Sequence, residues 1–331
     1  QPIIRGMSGP RVKILKNGVV NRDVSGLGVD HLNDVDLHDI SQVEIVKGPS
    51  SLLYANGTIG GIINVVDDCI SALNYELPEI SVGYETQSVN DGNAENFNFK
   101  NNINGFNVNF GYKNIDFGNY DIPSGAILHE EEDHDDHDDH DEDEHHDEDM
   151  GFLNNSDYAV EATKFGISKV GDWGYVGFSV DNLESVYGIP FHGDEHGDEH
   201  GDEHGDEHGD EEEHDEHGEE RIFSTTDSES FTIKGSYNIN GSLINKIDFN
   251  YRDSDYSLTE AHEEEEHHEE DEHDEEEEHE EHAPTVFMNE AVEYGATFDI
   301  SNDSSTQKVV VNFVDEDNSI VGEEAFMNPA N

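Results

Sequence analysis

The chain has 331 residues, 81 of them acidic against 15 basic, and a formal net charge of −66. That balance excludes nucleic acid as a partner, because backbone binding needs a basic patch and the sequence offers none. No apolar run approaches the roughly 20 residues of a membrane helix, which still leaves open a β-barrel, whose strands show only alternating apolarity.

Residues 1 to 72 are compact and free of acidic runs. Val12 to Leu15, then Asn17-Gly18, then Val19-Val20 predict a hairpin, since Asn-Gly supplies the positive φ angles of a tight turn. Ile40 to Val46 has the apolar spacing of a buried strand. Gly48-Pro49-Ser50-Ser51 offers a turn and a helix cap before Leu52 to Ala55, and Gly60-Gly61 precedes a strand over Ile62 to Val66. No Gly-Lys-Ser/Thr follows these glycines, so they form no Walker-type phosphate loop. Cys69 is the sole cysteine; it can make no intrachain disulfide here and is expected to be a buried, inert thiol.

From Glu79 the pattern changes to period two. Ile80, Val82 and Tyr84 alternate with Ser81, Gly83 and Glu85; Phe106, Val108, Phe110 and Tyr112 alternate with Asn107, Asn109, Gly111 and Lys113. About nine such strands are predicted, near 80–90, 94–103, 106–116, 157–169, 174–186, 227–238, 245–258, 287–300 and 307–315. One apolar face and one polar face suit a barrel with lipid outside and water or a plug inside; a soluble sandwich alternates too.

The connections discriminate further. Those after the second, fourth, sixth and eighth strands are tight: Asn104-Gly105, Gly171-Asp172, Asn240-Gly241 and Asn302-Asp303. Those after the third, fifth and seventh are histidine–carboxylate tracts at 129–149, 192–220 and 260–282. Together the tracts hold 19 of the 21 histidines and 47 of the 81 acids. Without those acids the chain keeps 34 against 15 basic residues, an ordinary acidic surface. In an up-and-down meander alternate connections share a side, so all three tracts are expected at one end.

Imidazole with carboxylate is the ligand set of borderline divalent metals, zinc above all. His134, His137, His140, His192, His196, His200, His204, His208, His267, His268 and His273 are therefore candidate loop ligands. Residues 192–211 repeat His-Gly-Asp-Glu five times. Glycine at every fourth position disfavours helix and the charge density disfavours a packed core. That tract suits wrapping of cations rather than one preorganised tetrahedral site. Like-charge repulsion also opposes helix in the Glu-rich third tract. No tract has His-Glu-x-x-His spacing or an adjacent nucleophile, so hydrolysis is not expected and the chain reads as a non-enzyme. The alternative origin of such repeats is replication slippage in a solvated loop.

The run "RGMSGPRVKILKNGV", followed by "VDHLNDVDLHDISQVEIVKGPSSLLYANGTIGGIINVV", resembles the plug domain of TonB-dependent outer-membrane receptors, most specifically from Val43 to Val66. The resemblance implies an α+β plug over residues 1–72. From 79 to 331 it implies part of an antiparallel up-and-down transmembrane β-barrel, about nine of about 22 strands. It also implies the outer membrane of a Gram-negative bacterium, contact with its lipid, and the inner-membrane TonB complex acting through a segment absent here. The chain opens on Gln1 to Arg5 without the n- or h-region of a signal peptide, as expected of a piece of a longer protein. The plug direction would put the tracts on the extracellular side.

Asp30 and His31 in "GVDHLNDVD" resemble the position at which zinc-type receptors present plug ligands to the lumen; Asp34, Asp36, His38 and Asp39 follow closely. "IVGEEAFMNPAN" resembles a loop of those receptors, which nominates Glu323 or Glu324 to complete the set. "SVYGIP" before the second tract and "NYRDSDYSLTE" before the third strengthen that likeness. Leu32 and Asn33 depart from it, as does the length of the tracts. The expected cargo is zinc or a related divalent metal; a nickel or copper chelate, haem or a siderophore, or a surface metal-sequestering role, are the alternatives.

Overall fold

The computed structural model describes residues 2–24, 31–33, 35–37, 39–55, 57–124, 126, 151–190, 221–239, 241, 243–263, 284–302 and 305–322. Two sheets dominate them. The first holds β1 (Val12–Lys16), β2 (Val19–Val20), β3 (Ile40–Val46) and β4 (Gly61–Asp67) in the order β2-β1-β4-β3. β1 and β4 run parallel, the other neighbours antiparallel. Asn17 and Gly18 turn the hairpin with φ of 55° and 86°, as Asn-Gly predicts. The turn is pinned because Gly18 N donates to Asn64 Oδ1 at 2.8 Å and Asn17 Nδ2 to Asp67 Oδ1 at 3.0 Å.

Two expectations for this unit need correction. β3 is a strand but not a buried one: Val43 and Ile45 are 49% and 59% exposed. It is the outer edge of its sheet, so apolar spacing marked the strand without marking what covers it. The predicted helix start is a 3-10 helix over Pro49–Leu53, and Ser51 does not cap it. Its hydroxyl donates to the Gly48 and Thr58 carbonyls at 2.8 and 2.9 Å instead, tying the two ends of the Gly48–Thr58 loop together.

The second sheet contains β5 (Glu79–Gln87), β6 (Gly92–Ile103) and β7 (Phe106–Phe117), then β10 (Tyr158–Gly171), β11 (Gly174–Gly188) and β12 (Arg221–Asn238), then β13 (Ile244–Glu263), β14 (Thr285–Asn302) and β15 (Ser305–Val321). Between β7 and β10, β8 (Tyr120–Asp121) and β9 (Phe152–Leu153) form a small ladder at the base of the first tract. The nine long strands are all antiparallel to their sequence neighbours. The tight turns after β6, β10, β12 and β14 therefore lie at one end; the chain enters and leaves all three tracts, and makes the short β5–β6 turn, at the other. β5 and β15 are the two edges of an open, partial barrel.

The later strands, β12 to β15, are longer than predicted, and the reason is a switch in which face is apolar. Near the tight turns the outer face is apolar and exposed (Phe178, Phe231, Tyr237, Tyr294), while the inner face buries Ser168, Ser179, Ser230 and Ser236. Phe178, Phe231, Tyr251 and Tyr294 form a continuous outer row with ring centroids 5.5 to 6.4 Å apart. This is the lipid-facing band of a barrel. Nearer the tracts the outer face turns polar, with Thr225, Asp227, Glu229, Asp253, Asp255 and Glu290 exposed. The inner face there buries Tyr187, Ile222, Tyr256 and Leu258. The 20-residue β13 is roughly 65 Å long at about 3.3 Å per residue, far beyond an apolar band of about 25 Å. Apolar alternation marks only the membrane segment, whereas the backbone ladder continues beyond it. Glu260–Glu263, assigned above to the third tract, belong to β13 and pair with Arg221–Ser224.

The first sheet sits against the inner face of the second. The segment joining them runs along β7, β10 and β11. Asn109 Nδ2 donates to the Asp68 carbonyl at 3.3 Å, Ser168 Oγ to that of Ser71 at 2.7 Å, and Asn107 Nδ2 to that of Leu73 at 3.0 Å. Cys69 is buried within this segment, and burial pushes its thiol pKa well up. Thiolate is the reactive form, so the residue is inert as expected.

Candidate metal site at the tract end of the barrel

Of the nominated ligands, His31 is described by the structure. Asp30, Glu323, Glu324 and all the nominated tract histidines (His134, His137, His140, His192, His196, His200, His204, His208, His267, His268, His273) lie outside the described residues, as do Asp34 and His38. His31 is 7% exposed, and its Nδ1 lies 3.3 Å from the Tyr187 hydroxyl on the inner face of β11. Tyr187 is packed with Val24, Ile189, Ile222, Tyr256 and Leu258, and Tyr158 and Phe287 pack around them. Tyr187 and Ile189 come from "SVYGIP", Tyr256 and Leu258 from "NYRDSDYSLTE". The two segments singled out in the sequence thus meet beneath the histidine. Among the described residues no three His, Cys, Asp or Glu side chains converge as a metal cluster.

The acidic residues after His31 are engaged elsewhere. Asp36 lies 3.5 and 3.8 Å from the ammonium groups of Lys113 and Lys164, and Asp39 lies 2.9 Å from that of Lys100. These lysines stand on the inner faces of β7, β10 and β6. They anchor the segment that carries His31 to three strands of the wall, a role the sequence reading missed. The available signal was a lysine at inner-face parity on each of three neighbouring strands in a chain poor in bases.

A second charged cluster lies deeper, under β1. Lys16 Nζ contacts Asp181 at 2.6 Å, and Arg22 reaches Glu293 at 2.9 Å and Glu316 at 3.9 Å. A polar cavity of about 20 Å³ is lined there by Lys16, Asp67, Asp181, Lys234 and Arg252 among others. Burial opposes charge on Lys16, but Asp181 and Asp67 raise its pKa above the ordinary lysine value, so it stays an ammonium. Burial likewise opposes ionisation of Asp67; Lys16, Lys164 and hydrogen bonds from Asn17 and the Cys69 amide outweigh it and lower its pKa. A depressed carboxyl pKa stabilises the fold above its unfolded value of about 3.9, and that stability is lost as pH falls through the folded value. Asp67→Asn is therefore expected to lower the unfolding temperature at neutral pH, by an amount that shrinks on acidification below about pH 4. Thermal unfolding from pH 3 to 7 reads this out; an offset that does not vary with pH would contradict it.

Comparison with known proteins identifies the smaller unit. The TonB-dependent Receptor Plug Domain family matches residues 1–62. The N-terminal unit is a TonB-dependent receptor plug. The chain is 29% identical over 85 residues to the vitamin B12 transporter BtuB of Vibrio vulnificus (strain CMCP6), covering 25% of this chain and 14% of that protein. In three dimensions it is similar to the copper transporter OprC, with a TM-score of 0.67 at 9% identity over 96% of this chain and 40% of OprC. It is also similar to the FrpB iron transporter from Neisseria meningitidis (F3-3 variant), with a TM-score of 0.61 at 11% identity over 95% of this chain and 42% of FrpB. The chain thus spans about two-fifths of the solved receptors it resembles, and an open sheet of nine strands is what such a portion holds. TonB-dependent receptors are outer-membrane proteins of Gram-negative bacteria, which places this chain in the outer membrane. These relatives are transporters, and their cargoes differ.

Proposed function

We propose that the chain is the central portion of a TonB-dependent receptor that imports zinc, with the three tracts gathering metal at its mouth. The observation that carries this reading is the position of His31. It is a plug imidazole buried at the tract end of the lumen, directly below the points where the two later tracts leave the wall. Imidazole suits zinc and copper alike, and the similarity to a copper transporter keeps copper as the second reading. Transport is not catalysis: the energy would come from the inner-membrane TonB complex, and the chemistry required of the chain is capture, retention and release.

The tracts would raise the local cation concentration, and His31 with Asp30 and Glu323 or Glu324 would hold one ion in place. Because the metal takes the neutral imidazole, protons compete for the same lone pair. Zinc binding to the isolated His192–Glu220 peptide is therefore expected to weaken steeply as pH falls from 7.5 to 5.5. Equal binding across that range would assign the metal to carboxylates alone. Cargo identity is tested by competition on the purified full-length receptor. Zinc is expected to displace nickel and to resist displacement by haem or a ferric siderophore; tight binding of either of those, with none of zinc, would overturn the reading.

A further inference from the structure

We infer that Tyr187 is a positioning residue for His31, fixing the imidazole so that Nε2 is the nitrogen presented to the metal. The inference rests on the proposed metal site and adds to it a barrel residue on which the plug ligand depends. The Tyr187 hydroxyl lies 3.3 Å from His31 Nδ1, and the two side chains are 2% and 7% exposed. The tyrosine ring has little freedom, since Val24, Ile189, Ile222, Tyr256 and Leu258 surround it. Its hydroxyl is thus a fixed point on the wall, 156 residues away in sequence.

A histidine that binds metal through one ring nitrogen commonly engages a partner through the other, which sets both tautomer and ring orientation. When Nδ1–H donates to the tyrosine oxygen, the lone pair sits on Nε2. Acidic anchors act on the same segment at a coarser scale, through Asp36 with Lys113 and Lys164 and Asp39 with Lys100. They place the backbone, whereas Tyr187 places the ring. The contact also joins the plug ligand to the strand that leads directly into the second tract, so displacement of the plug removes His31 from its aligned position.

The test uses the full-length receptor with its three tracts replaced by glycine–serine segments of equal length, which removes loop-bound metal. Zinc affinity is measured for this parent, for His31→Ala and for Tyr187→Phe, which keeps the ring and its packing. Nitrogen NMR of labelled histidine reads the His31 tautomer, assigned by the signal lost in His31→Ala. Tyr187→Phe is expected to weaken zinc roughly 10- to 100-fold, the usual effect of losing such a partner, and to turn a single Nδ1–H tautomer into a mixture. Loss of binding in His31→Ala with unchanged affinity and tautomer in Tyr187→Phe would overturn the inference and leave the metal site standing. Unchanged affinity in His31→Ala would overturn the metal site itself, and the role of Tyr187 with it.

Discussion

Replacing Gly166 by valine is expected to detach the plug linker from the barrel wall, at a cost of about 3 kcal/mol or more, the upper range for overpacking. A β-carbon on Gly166 would collide with the Cys69 carbonyl oxygen and stand 2.9 Å from its sulfur. The obstruction is backbone, and it cannot swing aside as a flexible side chain would. On neighbouring β11, Gly177 admits Ile70 in the same way, with 2.6 Å to its Cγ2. The wall is therefore hollowed by two glycines where the linker passes, and the hydrogen bonds from Asn109, Ser168 and Asn107 hold it there. Thermal unfolding of the detergent-solubilised receptor and chymotrypsin cleavage after Leu73 or Tyr75 report the change. Gly166→Ala should give an intermediate effect. A valine variant with native stability and a protected linker would show that the linker takes another path.

Removing Arg22 has the second large expected effect. Its guanidinium lies between Glu293 and Glu316 on adjacent strands, and the Arg22 and Glu293 side chains are only 10% and 9% exposed. Breaking a buried pair by deleting one member costs about 3 to 5 kcal/mol, because a charge is left buried and unpaired. Arg22→Met is expected to approach that figure, with two carboxylates then facing one another. Arg22→Met with Glu293→Gln should recover much of the loss, since the penalty comes from the orphaned charge rather than from a missing attraction. A double variant as unstable as Arg22→Met would contradict that account. Plug protection from protease, followed beside thermal unfolding, separates loss of docking from loss of the barrel.

The sequence exposed the meander through chemistry that is local. Asn104-Gly105 and Asn17-Gly18 mark their turns because few residue pairs tolerate positive φ, and alternate apolar residues mark strands because one face meets lipid. Strand length was hidden, since above the bilayer the outer face is polar and the apolar residues turn inward, as Tyr187, Tyr256 and Leu258 do. The burial of β3 was overestimated for a related reason: apolar spacing says that a face is to be covered, and nothing about whether this portion of the chain covers it. At the site, Asp30-His31 stood out by resemblance. The neighbours that give His31 its setting, Tyr187 and the three lysines, come from strands well over fifty residues further along, and no local pattern links them. In the sequence Asp36 and Asp39 follow Asp30-His31 closely. In the fold their partners are lysines, because a loop crossing the inner face meets whatever charge the wall presents.

The most direct test of the account is uptake of radioactive zinc by cells whose only zinc-responsive outer-membrane receptor is the complete protein. Import above the rate of receptor-deficient cells is expected, lost when TonB is deleted and reduced at least tenfold by His31→Ala at zinc concentrations below saturation. Import that persists without TonB, or that is indifferent to zinc and driven only by haem or a ferric siderophore, would contradict a TonB-driven zinc receptor.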